Sequence, residues 1–133
     1  MTEQISVRPF LMFEGRAEEA MDFYVGLFPG AERLEIARYG PGEAGPEGSV
    51  VVATFQVAGQ VVMCSDSPVK HGFSFTPSVS LFVTCGSEAE HGRLVEALSQ
   101  DGQTLMPSDD YGFSRRFAWV NDRFGVSWQI NLV

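Results

Sequence analysis

The chain has 133 residues, 44% hydrophobic and 20% charged, the balance of one ordinary globular domain rather than of a disordered or fibrous segment. Seventeen acidic against nine basic residues give a formal charge of -8 with no basic stripe, which argues against nucleic acid and against an anionic membrane surface as partners. No apolar run approaches the ~20 residues of a spanning helix, and the start lacks the shape of a signal peptide. Cys64 and Cys85 each lie inside an apolar run and, in a chain expected to be cytoplasmic, read as buried free thiols rather than a disulfide.

In chain order, Ile5 to Phe13 is an apolar run broken by Pro9, which suits an edge or bulged strand. Ala17, Ala20, Met21, Tyr24, Leu27 and Phe28 then recur at helical spacing, with Glu18 and Glu19 in the first turn, where the helix dipole favours acids. Pro29-Gly30 ends that helix. Three strands are expected next, Arg33 to Tyr39, Ser49 to Val57 and Gln60 to Ser65, with a Gly/Pro-rich loop at 40–48 and a tight turn at Ala58-Gly59.

The pattern then repeats. Val79 to Cys85 is a strand, and Ser87-Glu88-Ala89-Glu90 is a capping box that starts a helix with Leu94, Val95 and Leu98 as its buried stripe. Gly102 ends this helix, and Gln103 to Met106, Arg115 to Asn121 and Val126 to Val133 supply three more strands. Leu11 matches Leu81 and Gly30 matches Gly102, an offset of about 70 residues. The chain therefore reads as an α+β protein of two βαβββ modules, about 1–68 and 77–133, within a single domain spanning 1–133. Two open, curled mixed sheets of this kind can pair around a cleft with helices outside.

The last strand carries the strongest site signal. Val126, Trp128 and Ile130 alternate with Ser127, Gln129 and Asn131, so Gln129 projects from a polar face. Cys64 and Asp66, two apart, share one side of the fourth strand. Asp109, Asp110, Tyr111 and Gly112 form a polar loop with the makings of a lid, and Arg115 and Arg116 face opposite sides of one strand, so that one of them reaches a cleft. Phe55, Phe82, Phe117, Trp119 and Trp128 are strand aromatics, mostly core, of the kind that also lines a cup. His71, in the loop between modules, and His91, on the second helix, read as surface histidines.

Several segments resemble the glyoxalase, or vicinal-oxygen-chelate, superfamily, and within it the PhnB-like group often labelled 3-demethylubiquinone-9 3-methyltransferase-like. They are Pro9-Phe10-Leu11-Met12-Phe13, residues 17–24, Phe28-Pro29-Gly30-Ala31, Ser78-Val79-Ser80-Leu81 and residues 121–130. The resemblance implies the glyoxalase/bleomycin-resistance/dihydroxybiphenyl-dioxygenase fold and a homodimer. The methyltransferase label gains no support from the residues, because no Gly-x-Gly loop follows the first strand. In the superfamily's enzymes, His and Glu on four strands hold a divalent metal. Carried over strand by strand, those positions fall near Pro9, Ala53, Ser78 and Gln129, and shifting the register by one brings in Phe10, Thr54 or Val79. No metal and no other cofactor is therefore expected.

Two functional readings stay open. One is metal-independent binding of a small apolar or aromatic molecule in the cleft, with Gln129, Trp119, Phe55, Arg115, Tyr111, Cys64 and Asp66 as candidate contacts. The other is an enzyme working by side-chain acid–base chemistry in the same cleft, with Cys64, Asp66, Tyr111 or Arg115 as actors.

Overall fold

A computed structural model describes residues 4–133. The chain forms two compact units, one ending at Lys70 and the other running from His71 to Val133. The first holds β1 (Phe10–Phe13), α1 (Ala17–Leu27), β2 (Glu32–Arg38), β3 (Val50–Val57) and β4 (Gln60–Asp66). The second holds β5 (Leu81–Cys85), α2 (Glu88–Ser99), β6 (Gln103–Asp109), β7 (Arg116–Asn121) and β8 (Ser127–Leu132). Each unit is an open four-stranded mixed sheet, ordered β1-β4-β3-β2 and β5-β8-β7-β6. In both, the outer pair (β1·β4 or β5·β8) is parallel and the rest antiparallel. The expected βαβββ order is thus present twice.

Each helix covers one face of its own sheet. Ala17, Ala20, Met21, Tyr24 and Leu27 form the buried stripe of α1. They pack above Ala53, Phe55, Val62 and Cys64, with the Tyr24 and Phe55 rings stacked at 6.1 Å. In the second unit His91, Leu94 and Leu98 of α2 lie over Ala118, Val120, Trp128, Ile130 and Leu132. Half of the capping box forms as read: Ser87 Oγ accepts from the Glu90 N–H at 3.2 Å, while the Glu90 carboxylate accepts from Arg93 rather than from the Ser87 N–H.

Several details differ from the sequence reading: β5 begins at Leu81 rather than Val79, and Val95 is only half-buried on α2. β1 begins only at Phe10, and residues 5–8 lie exposed, although the Pro9 carbonyl accepts from the Met63 N–H. β6 does not stop at Met106 but continues through Pro107 to Asp109, tolerated because β6 is an edge strand with an irregular register there. β7 starts at Arg116, leaving Arg115 in the preceding loop. His91 is not a surface residue: it is 1% exposed, and its Nε2 lies 3.1 Å from the Ile130 carbonyl oxygen.

Two turns explain local residue choice. Ala58 and Gly59 both have positive φ, 50° and 84°, as a two-residue hairpin matching the twist of β3 and β4 demands. After α2 it is Asp101 that takes the left-handed conformation, with φ 59°. Gly102 is needed for another reason: a Cβ there would collide with the Asn121 carbonyl oxygen, so β7 passes too close for any side chain.

Candidate functional site

The pairing registers show which side chains leave the uncovered face of each sheet. Gln129 on β8 lies between Phe82 on β5 and Trp119 on β7, and Asn131 lies between Thr84 and Phe117. Trp128, Ile130 and Leu132 point the other way, into the core below α2. Gln129 is half-buried, and its Nε2 donates to Ser80 Oγ at 2.8 Å. The indole N–H of Trp119 donates to Ser127 Oγ, also at 2.8 Å. Ser80 and Ser127 thus hold the two larger side chains in place.

An aromatic cluster closes one end of this face. Phe117 is buried under Phe113, edge-on at 4.9 Å, and under Tyr111, edge-on at 6.2 Å, with Phe82 at 6.3 Å. Phe113 and Phe82 nevertheless stay 63% and 58% exposed, an unusual state for large apolar rings this close together. The Tyr111 hydroxyl donates to the Pro107 carbonyl at 2.6 Å, which ties the 110–115 loop to β6. Arg115 donates from Nε to the Val133 carbonyl at 2.8 Å, and Arg116 donates from Nε to Ser108 Oγ.

The three first-unit candidates lie elsewhere. Phe55 pairs with Val62, and Cys64 with Ala53, on the α1-covered side, so both are core rather than lining of an open face. Burial pushes the Cys64 thiol up to about 12, with the Asp66 carboxylate adding to the effect. Asp66 is 6% exposed and accepts three main-chain N–H groups: Gly15 at 2.9 Å and Ala17 at 2.8 Å on Oδ1, and Val50 at 3.1 Å on Oδ2. It closes the N-terminus of α1, where the helix dipole and orphan donors favour an anion. The uncovered face of this sheet instead carries Phe10, Met12, Thr54 and Met63, beside a recess of about 310 Å³ lined by Glu35, Ile36, Ala37, Val52 and Thr54.

The residues do not fit a chelated metal. Ala53 faces α1, so Thr54 is the β3 residue on the open face, and Ser78 Oγ is paired with Thr76 Oγ1 at 2.7 Å. A hydroxyl and a neutral carboxamide are a poor donor set for a divalent ion that favours imidazole or carboxylate. Among the described residues, no three of His, Cys, Asp and Glu gather closely enough to share one. His91 is buried on the inner face of α2, and half-exposed His71 stacks on Phe73 at 4.8 Å.

One structural carboxylate was not visible as such in the sequence. Asp122, in the turn between β7 and β8, is 3% exposed. Its Oδ1 accepts from the N–H of Phe124 and of Val126, and its Oδ2 from the indole of Trp128 at 2.9 Å. The available signal was an aspartate three residues before Gly125 and six before a tryptophan whose N–H needs a buried acceptor.

Comparisons with known proteins agree with this architecture. The family model described as 3-demethylubiquinone-9 3-methyltransferase matches residues 5–131. A PhnB protein from Bacillus cereus is 50% identical, and its solved structure aligns with a TM-score of 0.94 over 97% of this chain and 100% of that one. Protein YjdN of Escherichia coli K12 is 26% identical over 139 residues, 94% of this chain and 93% of that protein. A glyoxylase/bleomycin resistance protein/dioxygenase domain from Frankia sp. EAN1pec, 12% identical with a TM-score of 0.68 over 98% of each chain, shares the fold. The chain therefore belongs to the 3-demethylubiquinone-9 3-methyltransferase family, its PhnB-like group, and has the fold of glyoxalase/bleomycin-resistance proteins.

Proposed function

We propose that this protein binds a small, largely apolar or aromatic molecule on an uncovered sheet face, without a metal. The observation that carries this is the register Phe82–Gln129–Trp119 across β5, β8 and β7: two aromatic side chains flank one anchored carboxamide, with exposed Phe113 beyond them. Apolar surface left uncovered by the chain's own helices is what an apolar ligand would cover. Saturable fluorescence quenching of Trp119 by planar bicyclic aromatics tests the reading, together with elemental analysis of dialysed, untagged protein. Failure of every such compound to bind at millimolar concentration, or one equivalent of zinc, nickel, iron or manganese per chain, contradicts it.

The acid–base enzyme reading has less support. Two of its four actors, Cys64 and Asp66, are engaged in the first unit's core, one as a thiol driven toward its neutral form and the other as a helix-terminal acceptor. Methyl transfer draws no support from the strand order either, since β1-β4-β3-β2 is not a doubly wound sheet. A cytoplasmic homodimer and a single functional domain made of both units belong to the same proposal. The free thiols Cys64 and Cys85 suit a reducing compartment. Edge strands β1 and β5, with Phe10 and Phe82 exposed, are surfaces that a second copy would protect. Light scattering that gives the mass of one chain at every concentration contradicts the dimer.

A further inference from the structure

We infer that Gln129 selects the ligand by its edge: a neutral, planar heterocycle presenting an N–H beside a C=O, the pattern of a lactam. The inference rests on the binding reading above and adds the chemistry of recognition to it. Gln129 is the polar member of the three central positions, with Phe82 and Trp119 on the neighbouring strands about 4.8 Å to either side. Ser80 Oγ accepts one of the two Nε2 hydrogens at 2.8 Å, which sets the rotation of the carboxamide. No donor among the described residues reaches Oε1, and with Ser80 taking the Nε2 hydrogen trans to Oε1, that acceptor and the cis N–H stand side by side in one plane. Because the Trp119 N–H is taken by Ser127, the indole offers its ring rather than a donor.

A planar group lying against these rings meets the carboxamide along its edge. Two parallel hydrogen bonds form only when its own donor and acceptor are adjacent and complementary, as a carboxamide pairs with a lactam. A carboxylate brings two acceptors and sets one of them against Oε1, and the net charge of -8 further disfavours an anion. Asn131, two residues on and about 7 Å further along the same face, makes no side-chain hydrogen bond among the described residues and offers a second carboxamide to a longer ligand. Leaving a half-buried amide unpaired is what discriminates against ligands lacking this edge.

The matched probes are 2-quinolone and N-methyl-2-quinolone, which share ring and carbonyl and differ in the N–H. Affinities measured by NMR titration should favour 2-quinolone at least tenfold on the native protein. Gln129→Met, which keeps length and removes the amide, should abolish the preference, so that 2-quinolone and its N-methyl analogue bind with equal affinity. Ser80→Ala, which frees the amide to rotate, should narrow the gap and serves if the methionine variant does not fold. Equal affinities on the native protein, or a preference surviving in Gln129→Met, overturn the edge assignment while leaving the apolar-ligand reading intact. Binding of neither probe at millimolar concentration overturns the edge assignment alone when another planar bicyclic aromatic still binds, and overturns both readings when none does.

Discussion

Replacing Asp66 by Asn tests whether this residue is a structural acceptor rather than part of a site. Its carboxylate takes N–H groups from Gly15, Ala17 and Val50 at 2.8–3.1 Å while almost fully buried, joining the turn before α1 to the start of β3. Hydrogen bonds to a charged oxygen contribute about 1.5–3 kcal/mol each. Asparagine keeps one carbonyl oxygen for Gly15 and Ala17 but loses the charge facing the helix N-terminus, and its amide nitrogen meets the Val50 N–H donor to donor. The expected loss is about 2–4 kcal/mol, between weakening three such bonds and losing one outright. Urea denaturation followed by circular dichroism measures it, with ligand titration at a temperature where the variant is folded. A loss under about 0.5 kcal/mol refutes the structural role. So does a normally stable variant that no longer binds a planar aromatic.

Trp128→Ala should cost about 3–5 kcal/mol, because it empties the core below α2 and strips the Asp122 carboxylate of its indole partner. Gln129→Ala should cost under about 1 kcal/mol in the same melts; equal large losses would make Gln129 a structural hydrogen-bonder. The Glu18 carboxyl is held at about 2, first by its hydrogen bonds to the Arg38 guanidinium and then by Arg33, so Arg38→Ala should return its NMR titration midpoint toward the usual carboxylate range. Since the folded value is the lower one, this network stabilises the protein above about pH 4.5 and fades as pH falls toward 2, modestly and with salt sensitivity because the pair is exposed; a native midpoint near 4 would contradict it. Gly102→Ala should destabilise by about 1–3 kcal/mol through collision with the Asn121 carbonyl, whereas Asp101→Gly should relieve left-handed strain and stabilise; comparable melts for the two variants would contradict the close approach.

Much of the fold was legible because periodicity and turn chemistry agree along the chain. The alternation around Trp128 separates core from open face as the register does, and the Ser87 cap and Ala58-Gly59 turn fall where their residue types place them. His91 was misjudged because a polar residue type was weighed above its position, three before Leu94 and seven before Leu98 on one helical face. Asp66 and Asp122 look alike in a sequence whether they titrate or tie the backbone together, and only the N–H groups converging on them decide. Phe55 and Trp119 are both strand aromatics, yet the first stacks on Tyr24 beneath a helix and the second lies beside Gln129; strand parity separates them only once it is known which face the helix covers. The Ser80 and Ser127 partners were out of reach of pattern reading, since serine carries no periodic signal and Ser80 is 49 residues from Gln129.

The central claim is that the uncovered face of the second sheet receives an apolar planar ligand. A ¹H–¹⁵N correlation titration with such a compound locates the contact directly. The account predicts saturable shifts of the Trp119 indole N–H, the Gln129 side-chain amide and the main-chain amides of Phe82 and Phe117, while the buried Trp128 indole stays in place. Shifts confined to the helices or the first unit, or an unmoved Trp119 indole at saturation, would contradict it.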